Sequence, residues 1–272
     1  MQNMRMTKLN RLIAIGLCIV ATAGCDRGAP PATSNRPSVA LPAVFFIQPS
    51  ASRGPQGEVV IEGKTNLPDG LIIGVELHNG KKLAAQDFKV RVYGGQFQST
   101  GFTNLGSPYA PGRYRVHFLS YFNVAWQTPE ILALVGDGGS RLRGNLFKLT
   151  DPDVIDGDRA LDLNATLSFP PLSQGAKAIT LVKAAVLISN GSRSSANVGT
   201  LVGSFMTIRG VTPHNGWTAK RMALASGDDT YMVTFDFIDS RVGEMEAVWS
   251  ANLTTGPVHF TNKAAKNLSW QP

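Results

Sequence analysis

The chain has 272 residues, with 26 Lys and Arg against 19 Asp and Glu and a charged fraction of 17%, below the roughly 25% of an average soluble domain. That composition excludes a highly charged disordered protein, and 28 Gly with 16 Pro are far too few for collagen. Without Arg5, Lys8 and Arg11, which lie in a segment expected to be removed, the 26 basic residues become 23 and the net charge falls from +7 to +4. So weak an excess excludes the basic footprint of a nucleic-acid-binding protein.

Residues 1–24 are predicted to be an export signal peptide. Arg5, Lys8 and Arg11 form its basic start, and residues 12–21 are an apolar run about half as long as a spanning helix requires. Thr22-Ala23-Gly24-Cys25 follows. This motif resembles the lipobox of bacterial lipoproteins, in which small residues let a peptidase approach the backbone. The family usually has an aliphatic residue three positions before the cysteine, where this chain has Thr22. The resemblance implies cleavage between Gly24 and Cys25 and a diacylglyceryl group on the Cys25 thiol. Several acyl chains anchor a protein stably, whereas one binds only marginally. Asp26 resembles the enterobacterial signal for retention in the inner membrane, with the outer membrane as the alternative. The expected location is the cell envelope, facing the periplasm. The expected partners are the membrane, through the lipid anchor, and another envelope protein. With Cys18 removed and Cys25 acylated, no thiol of the two in the chain remains for a disulfide, a nucleophile or a thiolate metal site.

Residues 25–56 carry Pro30, Pro31, Pro37, Pro42, Pro49 and Pro55, the composition of an extended tether. Within it Val44-Phe45-Phe46-Ile47 is expected to dock as an edge strand. Residues 57–149 read as short strands divided by turns: Val59 to Glu62, Leu71 to Leu77, Phe88 to Tyr93, Gln96 to Phe102, Arg113 to Tyr121 and Glu130 to Val135. Pro68 and Gly70 punctuate the first turn. Polar and apolar residues alternate from Arg113 to Leu119, as a half-buried strand requires. Strands without helical periodicity predict an antiparallel sandwich. Thr65-Asn66-Leu67-Pro68-Asp69-Gly70 and Pro111-Gly112-Arg113-Tyr114-Arg115-Val116 make this region similar to the immunoglobulin-like domains of bacterial surface lipoproteins.

Residues 150–172 contain Asp151, Asp153, Asp156, Asp158 and Asp162 and read as an acidic connector. A calcium loop starting at Asp151 would need an oxygen ligand at position five and Gly at six, but Ile155 and Asp156 stand there.

Residues 173–272 change period. Ala176 to Ile188 is predicted as a helix, with a strand ending as the alternative because of its β-branched residues. Val198, Leu201, Val202, Phe205 and Met206 then mark one helical face capped by Asn197. Four strands are predicted: Trp217 to Ala225, Tyr231 to Phe237, Glu244 to Asn252 and Val258 to Asn262. Val198-Gly199 through Phe205, Trp217, Ala247-Val248-Trp249 and Asn262-x-x-Ala265 resemble a class of small bacterial envelope domains of unknown function. That resemblance implies a helix packed on a curved sheet. The expected fold is therefore mainly β: an immunoglobulin-like antiparallel β-sandwich followed by an α+β domain.

Chemistry is sparse. His78, His117, His214 and His259 lie in four segments with no i, i+4 pair, so no metal or other cofactor is expected. Gly138-Gly139-Ser140-Arg141-Leu142 lacks the last Gly of a nucleophile elbow, and Gly136 to Gly139 reads as a plain turn. Thr254-Thr255-Gly256 reads as a hairpin turn. Glu244 and Glu246 on one strand face have the spacing of a glycosidase pair, although exposed strands carry such residues routinely. Arg141, Arg143 and Lys148 form a basic cluster that reads as a solvated edge. No catalytic residue is assigned. The expectation is a structural or protein-binding envelope lipoprotein. The alternative is a ligand-binding or cell-wall-acting one, with Trp217, Tyr231 and Trp249 lining a pocket.

Overall fold

The computed structural model describes residues 41–150, 158–189, 192–193, 196–224 and 227–269. Gly24, Cys25, Asp26 and the rest of the signal and early tether lie outside the described residues, as do Asp151, Asp153 and Asp156. Among the described residues strand outweighs helix by 45% to 18%, which makes the fold mainly β with an α+β component.

In the first half the elements are β1 (Ile47–Arg53), β2 (Val59–Thr65), β3 (Ile72–Asn79), β4 (Lys82–Arg91), β5 (Gln96–Gln98), β6 (Gly112–Tyr121), α1 (Pro129–Val135), β7 (Phe147–Leu149) and β8 (Arg159–Phe169). They form a three-stranded sheet ordered β1-β2-β5 and a five-stranded sheet ordered β4-β3-β6-β8-β7, antiparallel throughout. Successive strand residues point to opposite faces, so Ile73, Val75 and Leu77 of β3 and Val116 and Phe118 of β6 share one buried face. They meet Val59, Ile61 and Phe97 of the smaller sheet in one core. The Phe97 and Phe118 rings meet edge to face, 5.6 Å apart.

Three elements differ from expectation. Residues 130–135, expected as a strand, belong to helix α1. Pro129 stands in its first turn with Glu130, where a missing N–H costs nothing and an anion faces the positive helix end. Ile131 and Val135, four apart, are its buried face. The second half of the expected connector is strand β8, paired with β6 from Gly112↔Phe169 to Tyr121↔Ala160. Leu161, Leu167 and Phe169 enter the core, with Leu163 and Ala165 packed against it, which fixes the register. Finally, the edge strand expected within the tether at residues 44–47 is found, but as β1 it starts at Ile47 and runs to Arg53. Phe45 is buried with its ring edge-on to Phe147 at 5.1 Å. Pro49 is tolerated because β1 is an edge strand.

The second half comprises α2 (Gln174–Ala184), β9 (Ile188–Ser189), β10 (Ser192–Arg193), α3 (Val198–Arg209), β11 (Thr212–Arg221), β12 (Thr230–Asp239), β13 (Gly243–Asn252), β14 (Val258–Phe260) and α4 (Lys263–Leu268). Strands β11-β12-β13-β14 form a sheet in chain order. Ser173 caps α2 by accepting from the Ala176 N–H, and Asn197 caps α3 by accepting from the Thr200 N–H. Helix α2 holds to Ala184 because Ala176, Ala178, Ile179 and Val182 supply a buried helical stripe, and the expected segment closes as the alternative had it, with Ile188 in strand β9. Of that stripe, Ala178, Ile179 and Val182 join Trp217, Val233, Phe235, Phe237 and Trp249 in a second core. Both cores lie in one compact unit, Val39–Pro272.

Candidate functional site

The outer face of the five-stranded sheet carries an unbroken chain of ionisable side chains. Inward Val75 and Leu77 leave Glu76 and His78 of β3 facing outward, and register places Glu76 directly opposite His117 of β6. One oxygen, Glu76 Oε2, lies 3.2 Å from His78 Nε2 and 3.0 Å from His117 Nδ1. The other ring nitrogen, His117 Nε2, is 3.1 Å from Asp162 Oδ1 of β8. Lys148 Nζ of β7 donates to the second oxygen, Asp162 Oδ2, at 2.6 Å. Glu76, His78 and His117 are each partly buried, and their candidate ligand atoms all lie within 4.8 Å of one another.

The electrostatics follow from this packing. Burial opposes the Glu76 charge, but hydrogen bonds from both imidazoles outweigh it and hold the carboxyl below its ordinary value. The Lys148 hydrogen bond, reinforced by His117, likewise lowers Asp162 against the effect of burial. His78 Nδ1, on the far side of its ring, is buried without a hydrogen-bond partner.

A second feature is a cleft of about 350 Å³ between the loop at Leu105–Pro108 and helices α2 and α3, with Trp217 on its wall. Lys183 of α2 donates to Gln56 Oε1 at 3.0 Å, and its ammonium lies 5.2 Å from the centre of the Trp217 ring. Burial lowers the Lys183 pKa, with the Glu58 charge acting in the opposite direction. On the rim, Leu105 is fully exposed and holds φ +50°. That is a left-handed conformation a Leu adopts only at a cost. A more open depression of about 480 Å³ overlies Glu62, Lys64, Arg91 and Gln98, but it brings together no comparable cluster.

The expected pocket residues separate. Trp217 reaches the cleft, whereas Trp249 is fully buried, stacks on Trp217 at 5.3 Å and donates from Nε1 to Ser269 Oγ. Tyr231 is core. Glu244 and Glu246 share a depression with Asp236 and His214. The basic cluster is consumed locally: Arg141 donates to the Ala133 carbonyl, Arg143 to that of Leu142, and Lys148 to Asp162. Gly139 (φ +75°) has no room for a side chain, since a Cβ there would lie 2.5 Å from the Phe122 ring. The Gly136 to Gly139 run is a turn built for packing.

The His–Glu cluster escaped sequence reasoning because its members come from different strands, 41 residues apart for Glu76 and His117. The available signal was Glu76-x-His78 on one alternating strand and His117 on another, which places all three on outward faces. No protein-family model matches the chain, and comparison with curated proteins and with solved structures finds no match.

Proposed function

We propose that the chain is a bacterial envelope lipoprotein, anchored by acylated Cys25 and facing the periplasm, that serves as a structural or protein-binding component rather than an enzyme. The observation that carries this reading is Thr22-Ala23-Gly24-Cys25 directly after the apolar run of residues 12–21. Among the described residues no helix is long and apolar enough to cross a membrane; the proposed attachment rests on Cys25 alone. Asp26 favours the inner membrane. The sandwich half would be an immunoglobulin-like module, an architecture that hosts many binding roles and by itself assigns none.

A specific observation favours small-ligand binding as a second reading. The cleft beside Trp217 combines an aromatic wall, the Lys183 ammonium and the exposed Leu105. Such a mixture of apolar surface with a few convergent polar groups is typical of ligand sites.

The test is Cys25→Ser. Wild-type protein is expected in the membrane pellet and labelled by palmitate, and the variant in the soluble fraction without label. A variant that stays in the pellet would overturn the anchor.

A further inference from the structure

Three protein ligands and one supporting carboxylate stand together on the outer face of the sandwich. We propose that Glu76, His78 and His117 bind a divalent transition metal ion of the zinc class, independently of the lipoprotein reading.

The donor set selects the ion. Two imidazoles and one carboxylate suit zinc and its borderline neighbours, whereas calcium and magnesium take oxygen ligands. Spacing agrees with that choice. Tetrahedral zinc with ligand bonds of about 2.0–2.1 Å separates its ligand atoms by about 3.4 Å. The Glu76 oxygen stands 3.0 and 3.2 Å from the two ring nitrogens, so these two pairs need to part by only a few tenths of an ångström, and all three ligand atoms lie within 4.8 Å of one another. Three protein ligands leave a fourth position for water or another ligand. Side-chain exposures of 15–25% for Glu76, His78 and His117 leave the cluster open to ions from solvent.

The surroundings of His117 agree with that ion. Its two nitrogens face two carboxylates, Glu76 at Nδ1 and Asp162 at Nε2. A neutral imidazole carries one N–H and one lone pair, so a metal at Nδ1 would use the lone pair and leave the N–H for Asp162. The proton resides on Nε2 and is donated to Asp162, while the ion offsets the negative charges. This is the carboxylate–histidine–metal arrangement that orients ligands in metalloproteins, and Lys148 fixes Asp162 from behind. His78 lacks such support, because its Nδ1 has no partner. His117 is therefore the anchored ligand and His78 the weaker one.

The experiment uses the full chain, untagged, solubilised in detergent with its anchor, stripped with EDTA and titrated calorimetrically with Zn²⁺. The expected result is one saturable site. His78→Ala and His117→Ala should each weaken it at least about tenfold, and Asp162→Asn, which touches no metal, by about 10–100-fold. His214→Ala and His259→Ala should leave it unchanged. Co²⁺ bound to the wild-type chain should give visible absorption of four-coordinate intensity, a reading that does not depend on whether any variant folds. Absence of a saturable site in the wild type overturns the proposal, as does binding that survives His78→Ala with His117→Ala. It also fails if nitrogen NMR finds His117 protonated on both nitrogens at neutral pH with Zn²⁺ present, since the cluster is then an ion-pair chain.

Discussion

The sandwich half closes two sheets on each other, with Phe97 and Phe118 meeting across the interior, whereas the second half closes one sheet with helices. Each solution handles buried polar groups in its own way. In the sandwich, Gln127 reaches the edge of β3, accepting from the Ile72 N–H at 3.0 Å and donating to the Ile72 carbonyl at 2.9 Å and to Ser120 Oγ at 2.8 Å. In the second half the stacked pair Trp217 and Trp249 occupies the centre, and the buried Trp249 indole N–H donates to Ser269 Oγ. The comparison teaches that two cores in one compact unit depend on different local devices. Among the described residues, Lys183 of α2 donates to Gln56 across the junction, and Arg53 of β1 donates at 2.9 Å to the carbonyl of Pro170, in the segment between β8 and α2.

The largest expected effects test whether the cores are energetically separate. Trp249→Ala and Phe118→Ala each empty a fully buried site and should cost about 3–5 kcal/mol. Hydrogen exchange on the Trp249 variant should show lost protection in β12 and β13 while β3 and β6 stay protected. Phe118→Ala should give the reverse. Simultaneous loss of protection in both halves from either substitution would break the comparison and make the chain one cooperative unit.

Helix caps provide a finer distinction. Asn262 caps α4 by accepting from the Ala265 N–H at 2.8 Å, also accepts from the Val248 N–H and donates to the Glu246 carbonyl, so it joins the helix to β13. Among the described residues, Asn197 accepts only the Thr200 N–H, at 2.8 Å. Thr128, before α1, makes no side-chain cap bond. Asn197→Ala should therefore cost about 1 kcal/mol, Asn262→Ala more, and Thr128→Ala close to nothing. Urea titration of the three variants reads the order directly. A Thr128 effect equal to that of Asn262 would show that geometry at the caps does not control their energetics.

What was legible in the residues follows from the range of the interactions involved. Helix α3 was readable because Asn197 and a long i, i+3, i+4 pattern are local, and the meander was readable because its strands pair in chain order. Helix α1 spans two turns, too few for Ile131 and Val135 to establish a period. Strand β8 carries clear alternation at Leu161, Leu163, Ala165, Leu167 and Phe169, but the Asp residues around it suggested a solvated connector. The His–Glu cluster was out of reach for a different reason. Alternation tells which face a strand residue takes, whereas bringing Glu76 opposite His117 requires the β3–β6 register, a tertiary fact.

The smallest expected effects distinguish the halves by pH. In the sandwich, burial raises the Asp87 pKa, but the Thr100 and Lys89 N–H groups, the Thr100 hydroxyl and the Lys89 charge outweigh it, leaving the carboxyl below its ordinary 3.8. The unfolded chain therefore binds its proton first as pH falls. Asp87's contribution is fully present above the unfolded value and is lost as pH drops through the folded one. In the second half, burial lowers Lys183 below its ordinary 10.5. Between its folded value and 10.5 the unfolded chain holds more protons, so stability rises with pH there. Subtracting the stability profile of Asp87→Asn from that of the wild type should thus leave a slope confined to the acid side, and Lys183→Met one confined to the alkaline side. Both groups retain contact with solvent, which screens these charges and keeps the slopes shallow. A flat difference for Asp87→Asn between about pH 2 and 5 would mean that its hydrogen bonds to Thr100 and Lys89 do not discriminate folded from unfolded chain.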